Sequence, residues 1–202
     1  MFFSFDGVDG VGKSTQVDLF CGWLQQMGHA VVSCRDPGST QLSESIRSVL
    51  LERTDTPIAR LSEMLLYMAA RAQLVDEVIR PALAEGKTVV CDRFLLANVV
   101  YQGHAGGLEV DRVWQVGEIA TSGILPELTF VLDMDIAAAA QRIQRTWDRM
   151  ESQGLEFRQR LRQGFLAEAA RQPEKICVID ASGEMGEIQG RIRREAQVRF
   201  GI

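Results

Sequence analysis

Five short runs, FFSF (2–5), AVVSC (30–34), TVVCD (88–92), LTFVLD (128–133) and KICVID (175–180), are apolar and rich in β-branched or aromatic residues. They are near-continuous in apolar character rather than alternating, as strands covered on both faces tend to be. Between them, apolar positions recur with helical period over Ser14–Met27, Leu61–Glu85 and Leu108–Ser122, and over Ile136–Gln172 with one break. Gly28 and Gly86 each close a helical segment just before a strand, where a left-handed residue is wanted. Strand and helix therefore alternate. The pattern predicts an α/β fold with three layers, α/β/α, around a five-stranded parallel sheet. No repeat, linker or low-complexity tract interrupts it, so residues 1–202 are expected to form one domain.

Composition narrows the possible ligands. Of 202 residues, 46% are hydrophobic and 24% charged, an ordinary globular balance, and the formal net charge is −5. A chain of that charge is not built for general nucleic-acid or anionic-membrane binding, so any polyanionic ligand must meet a local cluster of bases. Cys21, Cys34, Cys91 and Cys177 form no C-x-x-C pair. The placement of Cys34, Cys91 and Cys177 in or beside apolar strand-like runs points to packed free thiols in a reduced, cytoplasmic setting rather than to zinc. No basic segment leads into an apolar leader at the N-terminus, and no apolar stretch is long enough to span a bilayer.

The first chemistry appears where the first strand ends. GVDGVGKS, read from Gly7, fits G-x-x-x-x-G-K-[ST] and sits between a strand and a helix, the context this phosphate loop requires. Backbone N–H groups of Gly7, Val8, Asp9, Gly10, Val11, Gly12, Lys13, Ser14 and Thr15 would cradle the phosphates of ATP at a helix N-terminus. Lys13 would reach the β- and γ-phosphates and the Ser14 hydroxyl would coordinate Mg²⁺. Asp9 is the anomaly, because an anion cradle gains nothing from a carboxylate. A GTPase would carry N-K-x-D, which is absent, and a motor would need further domains. A compact small-molecule kinase fits the length best.

Further motifs follow in order: RDPGST (35–40), LLYMAARAQL (65–74), CDRFLLANVVYQG (91–103), PELTFVLDM (126–134) and VIDASG (178–183). Together with GVDGVGKST they resemble the thymidylate kinase family of P-loop nucleoside monophosphate kinases, which phosphorylate dTMP with ATP on the way to dTTP. Asp36 stands where that family usually has glutamate, Ser39 where it has a second glycine, and Tyr67 where phenylalanine is more usual. Arg35 and Arg93 follow strands at the carboxyl edge of the sheet, where open α/β folds place ligands. A guanidinium there can grip a phosphate bidentately.

The resemblance implies the remaining roles. Arg35 would hold the acceptor phosphate, Tyr67 stack on thymine, and Arg71, one turn along the same helix, bind the base and approach the monophosphate. Arg93 would bridge donor and acceptor phosphates, with Asp92 serving the hydrated Mg²⁺ or positioning that pair. Asn98 would read the thymine edge, Tyr101 would lie under the sugar, and Gln102 would touch the nucleotide more weakly. Asp9 would accept a hydrogen bond from the sugar 3′-hydroxyl; an acceptor for loop N–H groups is the alternative. Residues 142–155 would form a lid carrying arginines. Family members with glycine after the loop aspartate, as at Gly10, take their catalytic cation from this lid. Arg149 in WDRME is the implied candidate and Arg145 the second, while Arg142 would stack on adenine. The partners implied are ATP and dTMP, with Mg²⁺ as cofactor. The resemblance also implies a homodimer, and the apolar helices around Leu61–Leu74 and Val110–Ile124 are available to form it. A different monophosphate acceptor, or a non-catalytic nucleotide binder, remain the competing readings.

Overall fold

The computed structural model describes residues 1–52, 57–143, 149–150 and 153–202. Among these, β1 (Phe2–Asp6), β2 (Val31–Arg35), β3 (Thr88–Asp92), β4 (Leu128–Asp133) and β5 (Ile176–Asp180) pair in the order β2-β3-β1-β4-β5, and every pairing is parallel. All strands therefore end on one edge. Within the sheet Phe5 is in register with Asp92, and Arg35 also with Asp92, which lines up the loops after β1, β2 and β3 side by side.

The central strands β1, β3 and β4 are buried on both faces, while the edge strands β2 and β5 are partly exposed, and successive residues serve opposite cores. Phe2, Val89 and Cys91 join a cluster with Met64, Met68, Ile79 and Phe94. Phe3, Phe5 and Val90 join the other with Phe20, Phe130, Phe165 and Ile192. The four cysteines are free thiols, three buried and Cys177 half-buried, and no group of potential metal ligands of histidine, cysteine or acid type gathers among the described residues.

Among the described residues the α-helices are α1 (Lys13–Gln26), α2 (Gln41–Leu51), α3 (Arg60–Leu74), α4 (Arg80–Ala84), α5 (Leu95–Asn98), α6 (Val110–Thr121), α7 (Ile136–Gln141), α8 (Gly154–Arg171) and α9 (Met185–Phe200). The expected helix over 61–85 is interrupted by a π turn, Val75–Ile79, between α3 and α4. Pro81 explains it: proline offers no N–H and crowds the carbonyl four residues back, and a wider turn absorbs both defects. Gly28 (φ 89°) and Gly86 (φ 74°) take the left-handed conformation expected of them. The stretch 95–104, outside the segments whose periodicity predicted helix, is helical, with α5 running into a second π turn, Val99–His104. No described helix is long and apolar enough to cross a membrane.

Candidate active site

The strand ends define the site. β1 runs into the phosphate loop, where Gly7 (φ 132°) and Gly10 (φ 91°) have conformations that exclude a side chain twice over. A Cβ on Gly7 would lie 2.4 Å from the Leu132 carbonyl oxygen, and one on Gly10 would lie 2.1 Å from that of Ala139. Close approach to β4 and α7 thus fixes both glycines. Val8 and Val11 are buried in the core, so only their backbone faces the loop's concave side. Lys13, at the start of α1, donates from Nζ to the carbonyls of Gly7 (3.1 Å) and Val8 (2.7 Å). Burial, with Arg93 nearby, pushes its ammonium down to about 8.

Asp9 is engaged by side chains rather than by loop N–H groups. Its Oδ1 accepts from Arg93 Nη2 and lies 3.6 Å from Lys13 Nζ, and its Oδ2 accepts from the Tyr101 hydroxyl at 3.0 Å. Burial works to protonate this carboxyl, but the two cations and the tyrosine outweigh it and hold it well below the usual carboxylate range. Arg93 also donates to the Gly7 carbonyl (3.0 Å) and lies over the Tyr101 ring at 5.3 Å. Its φ of 68° is unusual for a side-chain-bearing residue, and its N–H is tied to the Phe5 carbonyl at 2.9 Å. Strain of that kind persists only where the surroundings impose it. Here the reward is a guanidinium laid across the mouth of the phosphate loop.

The Ser14 hydroxyl donates to Asp92 Oδ2 at 2.7 Å, so the two groups expected to serve a metal ion do meet. Both are hard oxygen donors at the phosphate end of the cleft, a donor set that suits Mg²⁺. Asp6 lies beneath them, fully buried, with no hydrogen-bond partner on either carboxylate oxygen. Burial pushes it up to about 7 despite Arg93 and Lys13.

Two clefts open on this edge. The larger is lined by Gly10, Gly12, Lys13, Ser14, Thr15 and Arg142. The smaller is lined by Tyr67, Arg71, Ala97, Asn98, Tyr101 and Gln102. Four residues line both: Asp9, Asp36, Arg47 and Arg93. Arg47, on α2, did not stand out in the sequence. Its Nη1 donates to the Pro37 carbonyl at 2.9 Å, and burial beside Arg35 lowers its affinity for its proton. Helix α2 was itself not anticipated, so nothing in the sequence pointed this arginine at the cleft.

Arg35 lines the larger cleft and is held by Glu44, both carboxylate oxygens lying 2.9 Å from its Nη2. Ser39, at the position of the family's second glycine, has φ 67°, which accounts for a glycine preference there. Its Oγ accepts from the Arg35 N–H at 2.9 Å. Arg71 is almost wholly buried (1% exposed), and its Nε donates to Asp36 while Nη2 donates to the Phe94 carbonyl at 3.3 Å. Asn98 Nδ2 donates to Gln102 Oε1 at 2.7 Å, leaving Asn98 Oδ1 buried without a partner.

The lid arginines divide. Arg142 lines the phosphate-loop cleft and donates to the Ala181 carbonyl at 3.4 Å. Arg149 turns elsewhere: it donates to the Leu50 carbonyl (2.7 Å) and to Glu63 on α3, and it lines neither cleft. Arg145, with the rest of 144–148 and 151–152, lies outside the described residues. Arg162, further along, anchors α8 to the end of β4 through both oxygens of Asp133 (2.7 and 2.8 Å).

Known proteins resemble this chain over nearly its whole length. The family model described as thymidylate kinase matches residues 5–192. A thymidylate kinase of Symbiobacterium thermophilum is 45% identical over 195 residues, covering 96% of this chain and 91% of that protein. One from Clavibacter michiganensis subsp. michiganensis is 44% identical over 200 residues, covering 98% and 94%. The crystal structure of thymidylate kinase from Ehrlichia chaffeensis superposes with a TM-score of 0.81 at 29% identity, covering 98% of each chain. With the family model matched over residues 5–192 and relatives 44–45% identical over nearly the whole chain, this chain belongs to the thymidylate kinase family.

Proposed function

We infer that the chain transfers the γ-phosphoryl group of ATP to dTMP, giving dTDP and ADP, a step in dTTP synthesis. The observation that carries this reading is the pair of clefts with Asp9, Arg47 and Arg93 common to both. A phosphoryl group passing between nucleotides seated in the two would cross that boundary.

The acceptor monoester has a second pKa near ~6 and is already mostly dianionic at neutral pH, so no general base is required. The work is to bring two anions into line and to neutralise the moving charge. Lys13 and the loop N–H groups hold the donor, with Arg142 at the adenine. Arg35 and Arg47 hold the acceptor phosphate. Arg93, fixed by Asp9 and the Gly7 carbonyl, spans both. Mg²⁺, held by Ser14 and Asp92, would supply further neutralisation of the donor phosphates. Preorganised charges of this kind carry the catalysis. In the acceptor cleft Tyr67 stacks on thymine, Arg71 donates to the base, Asn98 Oδ1 accepts from it, and Tyr101 with Gln102 closes the sugar side. Asp9 remains the partner we assign to the sugar 3′-hydroxyl while it holds Arg93 and Tyr101. The catalytic role that the lid resemblance implied for Arg149 has no support in its place against Glu63.

We further propose that residues 1–202 act as one catalytic domain with 142–155 as its lid. In this reading it works as a homodimer in the cytoplasm. A coupled assay of ADP release with ATP, Mg²⁺ and a panel of deoxynucleoside monophosphates tests the activity. Turnover should be highest with dTMP, and no turnover with it would overturn the reading. Arg47→Met should lower kcat/KM for dTMP roughly ten- to a hundredfold, the scale of one charge-assisted hydrogen bond. Unchanged kinetics would remove Arg47 from the site.

A further inference from the structure

Glu63 lies on α3, outside both clefts, with 1% of its surface exposed. Three side chains donate to it. Arg60 Nη1 reaches Oε1 at 3.0 Å, Gln102 Nε2 reaches the same oxygen at 2.9 Å, and Arg149 reaches Oε2. A primary amide can present either its oxygen or its nitrogen by a half-turn, so an amide beside an amide has no intrinsic polarity. A carboxylate facing two guanidinium groups is different, because it only accepts. Gln102 must therefore point Nε2 at Glu63, and its Oε1 is left for Asn98. Asn98 then gives Nδ2 to Gln102 at 2.7 Å, and Oδ1 is the atom left over. Reversing the amides would set Gln102 Oε1 against Glu63 Oε1, acceptor against acceptor.

We propose that Glu63 is a specificity-determining positioning residue. Through Gln102 it fixes Asn98 so that an oxygen, not an amino group, meets the edge of the acceptor base. The inference rests on the reading of Asn98 as a base contact given above. Thymine offers a donor at N3–H, which an oxygen can accept. Cytosine offers an acceptor at N3, which the same oxygen opposes. A buried polar group left facing its own kind loses its hydrogen bond without recovering water. Glu63 would thus help exclude cytidylate without touching any nucleotide, while uracil, with the same N3–H, would not be distinguished by this device.

The test compares kcat/KM for dTMP and dCMP in wild-type enzyme and in Glu63→Gln, Glu63→Asp and Asn98→Ala. Glu63→Gln can donate, which frees both amides to turn, so the dTMP:dCMP ratio should fall by about tenfold or more, chiefly through KM for dTMP. Glu63→Asp is still acceptor-only and should retain most of the ratio even if turnover drops. Asn98→Ala should raise KM for dTMP. An unchanged ratio in Glu63→Gln, with Asn98→Ala still impaired, overturns the role of Glu63 and leaves the base contact standing. Equal loss of the ratio in Gln and Asp variants also overturns it, since that marks a merely structural carboxylate. An Asn98→Ala enzyme with wild-type KM overturns both readings. If Glu63→Gln shows no cooperative melt, Gln102→Met carries the same test, because it cuts the relay and leaves Glu63 with Arg60 and Arg149.

Discussion

Asp6 and Asp9, three positions apart, show how differently one residue type can be spent. Asp9 draws two cations and a tyrosine hydroxyl, so its charge is held firmly and the acid in the phosphate loop becomes the seat of Arg93. Asp6 has no such hydrogen bonds, and burial raises it to about 7 from 3.8. The folded state therefore binds more protons than the unfolded chain between about pH 4 and 7. Stability must fall as pH rises through that window, and the deficit is complete above pH 7. Three pKa units correspond to on the order of 4 kcal/mol. Asp6→Asn should raise Tm at pH 8 and change it little near pH 4, as followed by circular dichroism melting. The same shift at both pH values would show that the carboxyl is not carrying this penalty. The sequence displayed Asp9 as an oddity within a motif, but nothing in FFSFDG marked Asp6 as the more costly acid.

At the scale of elements, legibility followed the strength of the periodic signal. Strands β1, β3 and β4 were visible because burial on both faces demands unbroken apolar runs, β2 and β5 because their β-branched runs stand out although they are partly exposed, and the phosphate loop because its glycines stand at fixed spacing. Helix α2 was not: it buries little beyond Ser43 and Leu50, and Thr40 caps it by accepting from the Ser43 N–H at 3.1 Å. α5 and its π turn escaped for the opposite reason, since Leu95 to Gly103 is buried nearly all round and shows no polar face to set a period. Helix α9 opens on a capping box of Glu184 and Glu187, in which glutamate replaces the serine or threonine that usually marks a helix start. The contact between the phosphate loop and α7 is of another kind, because it depends on tertiary approach. It gives Gly10 its physical reason: the Ala139 carbonyl occupies the space a side chain would need. Gly10→Ala combines that clash with a φ of 91° and should cost at least about 1–3 kcal/mol, lowering Tm by several degrees. It should also raise KM for ATP. A variant with wild-type Tm and KM would show that the loop can slide away from α7 freely.

Over the whole molecule, a chain of net charge −5 gathers Lys13, Arg35, Arg47, Arg71 and Arg93 at one sheet edge, which is how an acidic protein can bind two polyanions. Helix α3 joins that edge to the outer surface. Its inner face carries Glu63, Met64, Met68 and Arg71, all buried, while Leu61 and Leu65 stand about half exposed. Leu42 and Val49 on the neighbouring α2 and Ile119 on the neighbouring α6 are exposed as well. Large apolar side chains grouped on adjacent helices are a feature that monomers usually avoid. We propose this surface as the contact of the homodimer proposed above, in which a two-fold axis would lay it against its own copy. Leu65→Glu should then convert a species of twice the chain mass into one of single mass, as measured by light scattering on a sizing column. Because α3 also carries Tyr67 and Arg71, loss of the partner should raise KM for dTMP several-fold while KM for ATP, set by α1 and the phosphate loop, changes little. A wild-type protein of single mass would remove the dimer. A Leu65→Glu protein that stays double would move the interface to another face, and a monomer with unaltered KM for dTMP would show that the acceptor cleft needs no buttress across the axis.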